Sequence, residues 1–219
     1  NYPYKHSTFY PHFSTKVWGR GSKMVFKTNR SGKAATLSNK QLEQLFDYLP
    51  EKYSLLSQVM LWGCGRVKEC SSIKVRNINF KDETIVLEKS TTKTKESRVA
   101  VIHPDTLHQL KNWIIKHKLK EDDYIFFSKP KNSKCKIDNK HLGFHTIDEY
   151  FKKGFDWVGV KGASTHSFRR TQANNLLKNG FTLREIMDIT GHRNIATLQE
   201  YLDTDKRNTH RKYKQLIKG

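Results

Sequence analysis

The sequence predicts an α+β fold, mostly α-helical with one small three-stranded antiparallel sheet. Apolar residues recur at helical spacing through most of positions 38–217, and short alternating runs are confined to positions 77–102. The chain of 219 residues is 36% hydrophobic, enough for a packed core.

The first 36 positions stand apart. From Asn1 to Thr36 there are seven Lys or Arg, no acid and seven aromatics (Tyr2, Tyr4, Phe9, Tyr10, Phe13, Trp18, Phe26) with no regular period. The segment reads as a basic arm or linker. It either tracks a phosphate backbone and stacks on bases, with Lys16 and Arg20 as its DNA-contacting candidates, or is pinned to the neighbouring domain by its aromatics. Asn at position 1 reads as the start of a trimmed fragment.

A compact domain is expected from residue 37 to residue 205. Ser38 with Gln41 has the capping-box spacing, and Leu42, Leu45, Phe46 and Leu49 follow at helical intervals until Pro50 stops the run. A second apolar run, Leu55 to Trp62, reaches Gly63-Cys64-Gly65, which places Arg66 at a helix start. Ile78 and Phe80, then Thr84 to Leu87 after a Lys81-Asp82-Glu83 turn, then Arg98 to Ile102 read as the three strands. Pro104-Asp105 opens a helix containing Leu107, Leu110, Trp113 and Ile114. Tyr124 to Phe127 reads as a short extended piece, and Lys129 to Lys140 as a lysine-rich loop. Helices are predicted at His145–Trp157 and at Thr165–Lys178, the latter closed by Asn179-Gly180. A third runs from a Thr182/Glu185 cap to Ile189, a fourth from Ala196 to Leu202, and a basic last one from Lys206 to Ile217.

Charge narrows the partner. There are 41 Lys+Arg against 21 Asp+Glu, a formal net charge of +20 with a pI near 9.9. Such an excess favours a polyanion, nucleic acid first, with an affinity that falls steeply with salt. No run approaches the roughly 18 apolar residues of a spanning helix and no signal peptide is visible, so no membrane role and a cytoplasmic, nucleoid-associated location are expected. Cys64, Cys70 and Cys135 are too few and too scattered for a disulfide framework and fit a reducing interior. Cys135, His141 and His145 have loosely metal-like spacing but lack a second cysteine pair and read as loop residues, so neither metal nor cofactor is expected.

The chemistry sits in a scattered set. His166-Ser-Phe-Arg169 opens a helix, Thr190-Gly191-His192 follows, and Tyr201 lies nine positions beyond that histidine; Arg66 belongs with them. Two arginines neutralise a phosphodiester, and their planar forks match its nonbridging oxygens, at about 3 kcal/mol of transition-state stabilisation for each such donor. Two histidines hydrogen-bond or shuttle protons. A phenol attacks phosphorus, although with a pKa near 10 only about one in a thousand is ionised at pH 7 unless a base or nearby positive charge assists. Taken singly each residue is ordinary: a lone tyrosine on a short helix is usually a packing residue. The joint pattern points to DNA strand cleavage through a protein–DNA ester.

Arg66 with Glu69 three positions on, Lys93 in a polar loop between two strands, His166-x-x-Arg169, Gly191-His192 and Tyr201 together resemble the tyrosine recombinases, the site-specific integrases of phages and mobile elements. The resemblance covers about residues 37 to 205, that family's C-terminal catalytic domain, and implies its DNA breaking-rejoining fold. It implies that Arg66 and Arg169 grip the scissile phosphate with Glu69 in support and that Lys93 protonates the leaving 5′ oxygen. It further implies that His166 assists proton transfer, His192 hydrogen-bonds the phosphate and Tyr201 attacks. Lys95, two residues along the same loop, is the rival to Lys93 and otherwise a DNA contact. Arg170 has no role in the motif and is taken as DNA-contacting or structural. The resemblance also implies double-stranded recombination sites as partners, a monomer when free, a tetramer on paired sites, strand exchange through a Holliday junction, and residues 206–219 as a protomer-linking tail.

The sequence departs from that pattern at Thr190, where leucine is usual, and at Cys64-Gly65, which replaces the usual approach to Arg66. Both are expected to affect local packing and no reacting group. The family's N-terminal DNA clamp is not recognisable in residues 1–36, which leaves a catalytic fragment or an arm that serves as the clamp. Two other readings remain. A noncatalytic helix–turn–helix regulator would use Ala173 to Leu202, with Gly180 at the turn and Thr182 to Ile189 as recognition helix. A type IB topoisomerase-like relaxing enzyme would share much of the chemistry.

Overall fold

The computed structural model describes residues 33–88, 97–128, 140–203 and 206–217, with side chains at 206–209 and 212 set aside. The expected arm lies outside the described residues except for its last positions. Those are already tied to the domain: Ala35 N donates to Gly162 O and Leu37 N to Thr171 Oγ1.

Helix α1, Asn39–Tyr48, starts at the expected capping box: Gln41 N donates to Ser38 Oγ, and Ser38 N to Gln41 Oε1. Pro50 then caps α2, Glu51–Trp62, which is buried continuously from Tyr53 to Leu61 and forms the central helix. A helix apolar on every side must be surrounded, and α1, α4, α5 and α6 pack around this one. Gly63-Cys64-Gly65 breaks it. A β-carbon at Gly65 would sit 2.1 Å from Cys70 Sγ, so glycine is required there by close approach, while the left-handed backbone falls on Cys64 at φ 46°. Arg66 caps the short α3, Val67–Ser71, which is followed by a 3-10 turn at Val75–Asn77.

The sheet has the order β1-β2-β3, antiparallel throughout, with β1 at Ile78–Asn79, β2 at Thr84–Leu87 and β3 at Arg98–Val101. The first strand is shorter than expected because Phe80 already belongs to the turn and is exposed. Ile85 pairs with Ala100 and Leu87 with Arg98 on the inward face. Val99 and Val101 point outward and are 63% and 70% exposed. The loop carrying Lys93 and Lys95, between β2 and β3, lies outside the described residues.

Helix α4, Pro104–His117, closes on Lys118 in the left-handed conformation, and Trp113 Nε1 donates to Ile125 O. The expected extended piece at 124–127 forms two isolated bridges, Lys74 to Tyr124 and Phe127 to His141. Helices α5 (Phe144–Trp157), α6 (His166–Lys178), α7 (Leu183–Thr190), α8 (Ile195–Tyr201) and α9 (Lys206–Leu216) follow within a residue or two of expectation. One large apolar cluster, including Leu45, Leu56, Met60, Ile85, Phe126, Phe151 and Phe168, fills the domain. A smaller separate cluster of Ala173, Ile186, Leu198 and Leu202 sits among α6, α7 and α8. No helix among the described residues is long and apolar enough to cross a membrane.

Candidate active site

The site grows from the first turns of α6. Phe168 packs against Phe151 and Phe155, with ring centroids 5.2 and 5.7 Å away, and is fully buried. That anchor sets the rotation of the helix. His166, Arg169 and Arg170, at i, i+3 and i+4, are left to share another face.

Arg169 is 1% exposed, an expensive position for a guanidinium without partners. Its Nη1 donates to Cys64 O at 2.6 Å, and its Nη2 lies 3.3 Å from His192 Nε2 and 3.5 Å from Nδ1. Burial, then the nearby Arg66 and Arg98 charges, push its pKa down to about 10, so it stays charged at neutral pH. The strained turn at Cys64 is thus what turns a backbone carbonyl toward this arginine.

Arg66 comes from the same turn. Its backbone N donates to Glu69 Oε2 at 3.0 Å and its Nη1 to Glu69 Oε1 at 2.7 Å, while its side chain keeps 24% exposure. Glu69 is 1% exposed. Burial raises its pKa, but the Arg66 hydrogen bonds and the Arg98 and Arg66 charges outweigh that and hold it below the ordinary carboxylate value. Arg98, from the first position of β3, completes the cluster: Nη2 donates to Gly63 O, Cys64 O and Glu69 Oε2, and Nη1 to Ile189 O at the end of α7. Two guanidinium groups therefore share one carboxylate, and that of Arg169 lies close enough to feel their charges.

Tyr201 closes α8 and brings its hydroxyl 2.8 Å from His166 Nδ1. Its ring centroid is 5.3 Å from that of His192. The backbone is held as firmly as the ring: Tyr201 O accepts from Arg170 Nε at 3.0 Å and from Asn174 Nδ2 at 3.3 Å. Asp203 N donates to Asn174 Oδ1, and Arg170 also pairs with the Asp203 carboxylate and with Ala34 O. Burial raises the Tyr201 pKa, against the pull of Arg169, Arg66 and Arg170. The expected help from the arginine pair is present in sign, yet in the free site desolvation wins and the phenol keeps its proton.

His192 follows Gly191, whose φ of 70° ends α7 in the left-handed conformation. Its Nδ1 is 2.6 Å from Thr190 Oγ1. Burial, then the Arg169, Arg66 and Arg98 charges, push its pKa down to about 4, so the ring is neutral.

Five expected residues (Arg66, Glu69, His166, Arg169, His192) and Tyr201 therefore meet in one place. Lys93, Lys95, Lys16 and Arg20 lie outside the described residues, as does Cys135; His141 packs edge-on against Tyr124. The structure bears on three further expectations. Arg170 is 8% exposed and its guanidinium is used inside the protein, which supports the structural alternative over a DNA contact. Thr190, expected to affect packing alone, touches His192, one of the candidate site residues. And α7, the recognition helix of the regulator reading, buries Ile186 in the small cluster and spends its C-terminus on the site. The sequence reading missed Arg98 and Asn174. The signal for Arg98 was its register: with Ala100 and Ile102 inward, period two puts residue 98 inward as well.

Known proteins resemble this chain in sequence and in fold. The model of the phage integrase family matches residues 35–208. Tyrosine recombinase XerA of Pyrococcus horikoshii is 28% identical over 163 residues, 74% of this chain and 53% of that protein. XerA of Pyrococcus furiosus is 25% identical over 169 residues, 76% and 56% of the two chains. Among solved structures, XerA recombinase superposes with a TM-score of 0.67 at 20% identity, covering 84% of this chain and 65% of the other. XerH recombinase bound to palindromic difH substrate as a post-cleavage complex gives 0.68 at 18% identity, covering 84% and 53%. The chain spans about half the length of the curated relatives it matches.

Proposed function

The chain belongs to the phage integrase family, and from that premise we propose that it is the catalytic portion of a tyrosine-type site-specific DNA recombinase. Its substrate is a double-stranded recombination site. Arg66 and Arg169 hold the nonbridging oxygens of the scissile phosphate, with His192 as a third partner. Tyr201 Oη attacks phosphorus and passes its proton toward His166. The bond from phosphorus to the 5′ oxygen breaks, a 3′-phosphotyrosyl ester forms, and Lys93 supplies the proton that the leaving oxygen takes up. Attack by a 5′ hydroxyl on that ester reverses the step and rejoins strands without ATP or metal.

The observation that carries this reading is the 2.8 Å contact between Tyr201 Oη and His166 Nδ1 beside a cluster of three guanidinium groups, Arg66, Arg98 and Arg169, among which Glu69 is the one carboxylate. Such a cluster calls for an anion, and a phenol paired with an imidazole is a nucleophile with its base. The pairing within one chain favours attack at the site of the same protomer. Assembly as a tetramer on two DNA sites and a DNA-associated, cytoplasmic location belong to the same proposal. The relatives favour it over a noncatalytic regulator or a type IB relaxing enzyme.

The test is covalent capture. A duplex selected for binding from a random-sequence pool, then nicked near its centre, is incubated with the protein and run under denaturing conditions. A DNA-linked protein band is expected, absent in Tyr201→Phe although that variant binds with near-unchanged affinity. A band that survives Tyr201→Phe would sink the assignment.

A further inference from the structure

The side chain of Thr190 is fully buried. A hydroxyl has one proton, yet this oxygen makes two short contacts: 2.6 Å to Ile186 O, one turn back on α7, and 2.6 Å to His192 Nδ1. A carbonyl only accepts, so the hydroxyl proton goes to Ile186. Nδ1 must then supply the hydrogen for the second contact. A neutral imidazole with its proton on Nδ1 carries a bare lone pair on Nε2, and Arg169 Nη2, 3.3 Å from that atom and 3.5 Å from Nδ1, is compatible with it. The Ile186 carbonyl, acting through Thr190, thus selects the tautomer.

We propose that Thr190 is a positioning residue that holds His192 as its Nδ1–H tautomer, so that His192 donates to the scissile phosphate only by taking up a proton when DNA engages. The phosphate half of this rests on the recombinase reading; the tautomer half does not. The charged and titratable groups around the ring are Arg169 from α6, Arg66 and Glu69 from α3 and its cap, Arg98 from β3 and Tyr201 from α8. In the free site the three cations and burial keep the imidazole neutral. A phosphodiester placed among them brings the opposite charge and favours the imidazolium. The proton comes from solvent and adds to Nε2, and the new N–H donates to a nonbridging oxygen. The Nδ1–H bond to Thr190 is untouched. Leucine at 190 would impose no such order, since a neutral ring with its proton on Nε2 donates directly.

Nitrogen-15 spectra of histidine-labelled protein test the tautomer, with the His192 signals assigned by their loss in His192→Gln. In the free protein Nδ1 is expected at a protonated-nitrogen shift and Nε2 at a bare-nitrogen shift. Thr190→Ser should keep that pattern and Thr190→Val, which preserves shape, should lose it. Calorimetry in buffers of different ionisation enthalpy should show proton uptake on binding the selected duplex, reduced in Thr190→Val. Single-turnover cleavage should slow as pH rises above neutral in the unsubstituted protein and flatten in Thr190→Val. Finding Nε2 protonated in the free protein, or an unchanged tautomer in Thr190→Val, overturns the proposal. The expected tautomer together with no covalent DNA adduct would uphold the Thr190 lock and overturn the recombinase reading instead.

Discussion

Arg98 has no reacting atom assigned to it, yet its guanidinium gathers acceptors from the end of α2, from Glu69 and from the end of α7. Arg98→Ala leaves three carbonyls without this donor and weakens the restraint on a buried carboxylate. The expected cost is about 3 kcal/mol or more in denaturant unfolding, together with a fall in cleavage rate. Arg98→Lys should recover little of either, because a single ammonium cannot reproduce the fork. Unchanged stability in Arg98→Ala would refute the linking role. This residue also marks how far the site was legible. Residues proposed to bear the chemistry could be grouped from sequence because the proposed reaction dictates their types and spacing. Arg98, Asn174 and the role of Thr190 were not, because what they touch lies far away in sequence or depends on which way a helix end turns.

At the scale of elements, α6 does two jobs. Its Phe168 face is fixed in the large core, and its opposite positions hold Tyr201, the proposed nucleophile, which belongs to α8. Arg170 and Asn174 grip the Tyr201 carbonyl, and Asp203 returns the contact to both. Releasing this clamp with Arg170→Ala and Asn174→Ala together should slow single-turnover cleavage about 10²-fold at saturating protein, the effect of misplacing an attacking group by about 1 Å. The reaction's final yield and the DNA affinity should hold. A loss of yield at unchanged rate constant would mean that the pair merely keeps the protein folded. Helices with strong caps were legible before any coordinates: Ser38 with Gln41 and Thr182 with Glu185 start α1 and α7 where their hydrogen bonds require. The five-residue α3 and the two-residue β1 were less so, because elements that short show too little periodicity and owe their form to tertiary packing.

On the scale of the whole molecule, the high positive charge and the predicted class of fold were readable from composition and pattern, whereas the division of the interior into two clusters was not. That division follows from packing. The large cluster contains the anchor of α6 and packs around α2, the helix that leads into the Arg66 turn; the small one, four buried residues among α6, α7 and α8, underlies Tyr201 and the approach to His192. A region with so little buried apolar surface opens at a lower free energy than the rest. Heat should therefore silence the protein in stages. Strand cleavage measured after brief warming is expected to disappear at a lower temperature than the loss of helical circular dichroism, and to return on cooling, with amides of α8 exchanging ahead of those of α2. The residue proposed to attack would then ride on the part of the molecule that lets go first.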